Sequence, residues 1–270
     1  MAKNVEADTI KMQLGIFQST GGITIQQRFD KLDHALATSR SHPDLIVCPE
    51  LFVPGYNVGD RLIDRAEPPD GPLSRQVSRL ARHYRTAIVY GYPEKNGQSI
   101  HNSAAFVSAN GELLANHRKQ LNSPGSFEEH YFTPGNNMTL LNYQGFRVAI
   151  LICYEVEFPE AVRQVVLAGA QVVLVPTALV KQWDVVASQV VPTRAFENGI
   201  WLAYANHTGH ENGFDYLGGS KIVAPDGVIE ADAGTSESLI SATITRERVA
   251  AAQQRLPYLR DLNKYLGEAT

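Results

Sequence analysis

Two kinds of segment take turns along this chain, and that alternation constrains its fold more than any other feature. Short apolar or alternating runs fall at Ile10–Phe17, Leu45–Cys48, Ala87–Tyr92, Ser103–Val107, Val148–Ile152, Val172–Val175, Ile200–Ala205, Lys221–Ala224 and Leu239–Ile244. Between them, helical periodicity appears around Ile25–Ala37, Leu73–Tyr84, Glu160–Ala168, Val185–Glu197 and Arg246–Arg255. Strand-length runs separated by amphipathic helices predict an α/β fold whose sheets are covered by helices. No Pro-, Gly- or Ser-rich linker interrupts the pattern. One domain over residues 1–270 is expected, with a core from about 10 to 245 and a tail from 246 to 270. A chain of 270 residues buries enough surface to need no staples.

Four of the strand-like runs end in polar residues. Leu45-Ile-Val-Cys-Pro-Glu50 ends in a carboxylate, and Val148-Ala-Ile-Leu-Ile-Cys153 in a thiol. Val172-Val-Leu-Val-Pro-Thr177 ends in a hydroxyl, and Trp201-Leu-Ala-Tyr-Ala-Asn206-His207 in an amide and an imidazole. In a parallel arrangement these groups share one rim of a sheet, where open α/β folds build their sites. A helix start follows Cys153. Pro159 suits the first turn, Glu160 suits the positive end of the dipole, and Gly169 is a stop.

Only two cysteines are present, which excludes a disulfide framework and points to a reducing, cytoplasmic compartment. A thiol attacks as thiolate and needs a neighbouring base or positive charge. The eight histidines are scattered, and none forms a motif with Cys153. Glu50, behind the rigid Pro49, is the better base, because partial burial raises a carboxylate towards neutrality. Lys119 can supply the positive charge that stabilises a developing oxyanion. Cys48 lies inside an apolar strand and reads as a buried hydrophobe. Tyr56 either hydrogen-bonds a substrate or fills the core. Thr177 either offers its hydroxyl or caps a segment, and Trp183 either walls a pocket or packs.

Composition narrows the function further. A net charge of −4 without a basic run excludes phosphate-driven nucleic-acid binding. The first nine residues carry no apolar leader core, and no run approaches the ~18 apolar residues of a membrane helix. His207 and His210 lack further ligands, so no metal is expected. Serine-elbow, phosphate-loop and dinucleotide motifs are missing, so no cofactor is expected.

Taken in order, Cys48-Pro-Glu-Leu-Phe52 with Gly55-Tyr56, Arg118-Lys119, Tyr131-Phe-Thr-Pro-Gly135 and Cys153-Tyr-Glu-Val-Glu-Phe-Pro-Glu160 resemble the nitrilase superfamily of carbon–nitrogen hydrolases. Val175-Pro-Thr-Ala178, Arg194-Ala-Phe-Glu-Asn198, Gly218-Gly-Ser220 and Arg255…Asp261…Tyr265 extend the likeness over nearly the whole chain. The resemblance implies a four-layer αββα sandwich and a Glu–Lys–Cys triad. Glu50 is then the general base, Lys119 the oxyanion stabiliser and Cys153 the nucleophile. A second glutamate is implied before Thr133-Pro-Gly135; spacing favours Glu128 over Glu129. The Tyr154 N–H becomes the other oxyanion donor, and Tyr56, Thr177, Ala178 and Trp183 become candidates for substrate contact. Val175–Ala178 and Ala203–His207 look most like aliphatic-amidase-type members. The expected reaction is hydrolysis of a small amide through an acyl-thioester, with a nitrile or N-carbamoyl substrate as alternatives and a silent binding protein as a remote one. A homodimer or larger oligomer is implied too. Gln120-Leu-Asn122 and Glu155 depart from the usual His-Leu-Phe and Cys-Tyr-Asp patterns, which leaves substrate identity open.

Overall fold

A computed structural model describes residues 9–267; the last residues of the expected tail lie outside that range. The alternating pattern resolves into a seven-stranded and a six-stranded sheet, the short His207–Thr208 strand joining the first by pairing parallel with Ser19–Thr20. In the first, β1 (Lys11–Thr20), β2 (Leu45–Val47) and β3 (Ala87–Asn96) run parallel. The antiparallel β4 (Ser99–Val107) and β5 (Leu113–Arg118) follow on one side. The second sheet has a parallel centre of β7 (Phe146–Ile150), β8 (Val172–Pro176) and β9 (Trp201–Ala205). Antiparallel β6 (Thr139–Tyr143) lies beyond β7, and β10 (Lys221–Val223) and β11 (Ile229–Asp232) lie beyond β9. The late strand β12 (Ser238–Thr245) returns to pair with β1 over its length and closes the first sheet.

Strand alternation decides what each sheet faces. Leu14, Ile16, Leu45, Val47, Val89 and Phe106 meet Val148, Ile150, Leu174, Trp201 and Ile222 in one core between the sheets. The opposite side chains of the first sheet, including Ile46, Cys48 and Ile88, pack under α1 (Ile25–Thr38) and α2 (Pro72–Tyr84). Those of the second, including Ala149, Val173 and Leu202, pack under α3 (Pro159–Leu167) and α4 (Val191–Asn198). The layers are therefore αββα, as expected. Two further helices, α5 (Arg246–Arg255) and α6 (Tyr258–Leu266), follow β12. No helix among the described residues is long and apolar enough to cross a membrane.

Two local expectations change. The helical stretch expected over Val185–Glu197 splits into a π turn at Val186–Val190 and then α4, with Pro192 in its first turn. Proline has no N–H to donate back to the preceding turn, so the regular ladder cannot pass through it. The polar strand ends do not share one rim. Glu50 follows β2 in the first sheet, whereas Cys153, Thr177 and Asn206 follow β7, β8 and β9 in the second. The two rims face each other instead. The Glu50 N–H donates to the Thr177 carbonyl at 3.3 Å, and the His207 Nε2–H donates to the Glu50 carbonyl at 2.8 Å.

Candidate active site

Each side chain at the junction of these rims is placed by a local feature of the chain. Glu50 leaves β2 in a tight loop that lies directly on β3. A Cβ at Gly91 would sit 2.2 Å from the Leu51 nitrogen, so only glycine there lets the loop approach. Lys119 extends β5, its N–H donating to the Asn102 carbonyl on β4 at 2.8 Å. Glu128 opens a short helical turn, Glu128–Tyr131. Cys153 begins a 3-10 turn, Cys153–Glu157, with a left-handed φ of +49°. That conformation is unfavourable for a side chain bearing a Cβ, and it turns the thiol out of the strand line. The Tyr154 N–H belongs to the first turn of this helix, where amides have no partner inside the helix.

The Lys119 ammonium is fully buried between two carboxylates. It lies 2.7 Å from Glu50 Oε1 and 2.9 and 2.7 Å from the two Glu128 oxygens. Glu128 also accepts the Tyr56 hydroxyl at 2.5 Å and the Ser123 N–H at 3.1 Å. Glu129 does not reach this cluster; its carboxylate accepts the Gly125 N–H on the exposed side of the turn. Glu50 Oε1 takes a second hydrogen bond, from Asn102 Nδ2 at 2.7 Å, while Glu50 Oε2 is buried without a partner among the described residues.

Burial sets the proton affinities here, and the neighbours correct them. Burial pushes the Glu50 carboxyl up to about 7, with Lys119 opposing and Glu128 reinforcing the shift. Burial also raises Glu128, but Lys119, Tyr56 and Ser123 outweigh it and hold that carboxyl below its usual range. Burial would lower Lys119, yet Glu50 and Glu128 keep it charged well above the ordinary lysine range. Cys153 is pushed far up by burial and by Glu50, against the pull of Lys119. The resting sulfur is thus a thiol, beside a carboxylate that titrates near neutrality.

Cys153 lines a cavity of about 820 Å³ together with Tyr56, Tyr154, Glu157, Ala178 and Trp183. Of the residues expected to touch substrate, Tyr56, Tyr154, Ala178 and Trp183 are brought there. Trp183 is 55% exposed at the mouth, so it is neither core nor enclosed wall. Thr177 is not brought there: it is fully buried and its hydroxyl bonds the Tyr204 hydroxyl at 3.2 Å, so it braces the floor and does not face the cavity. Asn206 is likewise spent on the scaffold, holding Leu179 and the Gly218 carbonyl. Among the described residues no group of three or more His, Cys, Asp or Glu has metal-holding geometry.

Several supporting residues gave no sequence signal. Asn102 on Glu50 and Ser123 on Glu128 are ordinary polar residues until the fold places them. Glu155 accepts the His117 imidazole at 2.9 Å, the Gln120 N–H at 2.9 Å and the Ile152 N–H at 2.5 Å. It thereby ties the segment bearing Lys119 to the turn bearing Cys153. The motif Cys153-Tyr-Glu155 marks the position, but His117 and Gln120, the partners that make the tie, are far away in sequence.

Comparison with known proteins agrees with this geometry. The family model for carbon-nitrogen hydrolases matches residues 16–254. A Pseudomonas protegens protein described as a hydrolase in the pqqF 5' region is 40% identical over 87% of this chain and 81% of its own. An (R)-stereoselective amidase of a Pseudomonas species is 31% identical over 88% of this chain and 86% of its own. Among solved structures, a glutamate-to-glutamine mutant of the amidase from Nesterenkonia sp. AN1, carrying the acetamide moiety of fluoroacetamide on its active-site cysteine, superposes with a TM-score of 0.81. It is 31% identical and covers 98% of both chains. With its αββα layers and a cysteine at the mouth of a buried carboxylate–lysine cluster, this chain belongs to the carbon-nitrogen hydrolases of the nitrilase superfamily.

Proposed function

We propose that this hydrolase is an amidase that converts small carboxylic amides to acid and ammonia through a Cys153 acyl-thioester, with Glu50 as base and Lys119 as oxyanion stabiliser. The observation that carries the reading is Glu50 itself. One of its oxygens is pinned by Lys119 and Asn102, the other is free, and the group titrates at about 7. A base with that proton affinity both takes and returns a proton at neutral pH.

The thiol is neutral at rest, so its proton leaves as the sulfur attacks. Glu50 receives it, and the carbon–sulfur bond forms at the amide carbonyl. The charge that develops on the carbonyl oxygen falls to Lys119 and the Tyr154 N–H. Collapse of the tetrahedral adduct expels ammonia with the proton from Glu50 and leaves the thioester. Glu50, again a carboxylate, deprotonates water, which attacks the thioester; sulfur leaves as the thiol and the acid departs. Glu128 takes no proton. Its lowered affinity keeps it anionic, and it fixes Lys119 and Tyr56. Splitting one difficult step into acylation and deacylation is what a nucleophile contributes.

Cys153→Ala is expected to abolish ammonia release from small amides while leaving the circular dichroism spectrum unchanged. Wild type given amide plus hydroxylamine is expected to form the hydroxamate. A variant that keeps wild-type turnover overturns the mechanism. Matched nitriles and N-carbamoyl amines hydrolysed faster than the amides would keep the nucleophile but change the substrate class.

A further inference from the structure

The mechanism above uses neither of the two carboxylates that line the cavity: Asp215 stands exposed at the rim, and Glu157 lies in the same turn as Cys153. It closes the 3-10 turn that Cys153 opens, and both residues line the same cavity. Its side chain is half-buried and makes no hydrogen bond or ion pair among the described residues. The nearest guanidinium is already committed. Arg194 donates to the Val156 and Glu157 backbone carbonyls at 3.1 and 2.6 Å and to the Glu197 carboxylate at 3.0 Å. At the rim, Lys181 and Asp215 bring opposite charges, and Asp215 is engaged by His210 at 3.0 Å. Deeper in, Glu50 and Glu128 already outnumber Lys119. The Lys181 ammonium has no ion-pair or hydrogen-bond partner among the described residues but is exposed at the rim, so Glu157 keeps an unneutralised negative charge in the part of the cavity that holds Cys153. Burial raises its proton affinity, as befits a carboxylate lacking a partner, with Lys119 and Arg194 only partly offsetting the effect.

We propose that Glu157 selects substrates by charge: it accepts a hydrogen-bond donor or cation on the acyl portion of the amide and rejects acyl groups that carry a carboxylate. This rests on the amidase reading for the identity of the scissile bond, but the charge selection itself is a property of the cavity around Cys153. An ammonium or hydroxyl on the acyl chain gives the carboxylate the partner it lacks, whereas a second carboxylate adds repulsion in a space partly shielded from water.

Two measurements separate this proposal from the amidase reading. The first is alkylation of Cys153, followed by peptide mass mapping, with neutral iodoacetamide and anionic iodoacetate. The iodoacetamide-to-iodoacetate rate ratio is taken relative to that of glutathione. Wild type is expected to exceed glutathione about tenfold, a preference of about 1.4 kcal/mol. Glu157→Gln is expected to remove most of that excess, and Glu157→Lys to bring the ratio below that of glutathione. Unfolded chain reacts with the ratio of glutathione, so the variants are compared at circular dichroism matching wild type, and a Glu157→Lys ratio below that of glutathione is a result unfolding does not produce. An unchanged ratio in both variants overturns the proposal. The second is kcat/KM for three amides of equal chain length: 4-aminobutanamide, butanamide and succinamate. The expected wild-type order is cationic, neutral, anionic, with the spread collapsing in Glu157→Gln. If none of the amides is hydrolysed but the alkylation ratio shifts, the amidase reading fails and the charge selection stands. If all are hydrolysed with the same spread in wild type and variant, the charge selection fails alone.

Discussion

Two buried clusters, on either side of the loop that follows β2, contain the same ingredients and behave in opposite ways. On one side Glu211 faces Arg28 at 2.8 Å, both fully or nearly fully buried. On the other Glu50 faces Lys119 at 2.7 Å, both fully buried. Glu211 accepts five donors: Arg28, the N–H groups of Gly22, Tyr56 and Asn57, and the Tyr216 hydroxyl. Burial pushes its carboxyl up, but His207, the Asn57 N–H, Arg28 and Tyr216 bring it below the ordinary range. His207 is itself pushed down to about 4 by burial and Arg28, so near pH 7 it is neutral and the remaining donors carry the effect. Glu50 has two donors, both on one oxygen, and stays near 7. The difference lies in saturation. A buried carboxylate whose oxygens are filled is a fixed charge that holds backbone in place; one with an empty oxygen is free to take a proton.

The largest effect expected from breaking this contrast is on Glu50. Glu50→Gln keeps the shape and removes the proton acceptor, so kcat is expected to fall roughly a hundred- to ten-thousandfold. Its effect on stability has an unusual sign. A carboxyl raised from 4.5 to about 7 binds more protons in the folded chain than in the unfolded one. Stability linked to Glu50 is therefore full below about pH 4.5 and is lost as pH rises through about 7. Urea unfolding of the Gln variant should lack that loss. A kcat near wild type, or the same decline in stability, would show that Glu50 is another filled carboxylate like Glu211.

Glu211→Gln should behave in the reverse manner. Arg28 is left buried with its remaining nitrogens already short of partners, and breaking a buried pair in this way costs about 3–5 kcal/mol. Because the Glu211 carboxyl is lowered, wild-type stability linked to it is present above pH 4.5 and lost as pH falls through its folded value. The variant should lose that acid dependence. Denaturant midpoints across pH measure both quantities, and a stability cost below about 1 kcal/mol would remove the structural role assigned to the cluster.

The two clusters were not equally legible. Glu50, Lys119 and Cys153 stand in short motifs, and the strands that carry Glu50 and Cys153 are β-branched runs with clear ends. The Arg28–Glu211 pair links a helix face to a two-residue strand, His210–Glu211, 183 positions later, a juxtaposition that no local pattern encodes. The same limit explains why the polar strand ends looked as though they shared one rim. Each strand was readable, but which sheet it joins is fixed by distant pairing. Edge strands were missed for a different reason. β5 and β6 are largely half-exposed or exposed, so neither shows the buried apolar run that marked the central strands. The helix α6 was read only as a family-like tail, since its apolar residues include exposed Tyr265 and Leu266.

The smallest effect is the sharpest test of saturation, because it changes the number of donors without touching a charge. Asn102 Nδ2 donates to Glu50 Oε1, and Asn102 Oδ1 has no partner among the described residues, so Asn102→Leu strands no other side-chain group. Losing a donor disfavours the carboxylate, so the Glu50 proton affinity must rise. A hydrogen bond to a charged group is worth about 1.5–3 kcal/mol, and one pH unit corresponds to about 1.4 kcal/mol. After relaxation around the new side chain, the acid limb of kcat/KM should move up by about one pH unit. Lys119 stays in place because its own N–H is held by the backbone carbonyl of residue 102, which the substitution keeps. A limb that does not move, or that moves down, would mean that the ammonium alone sets the affinity of Glu50, and the number of filled oxygens would no longer distinguish it from Glu211.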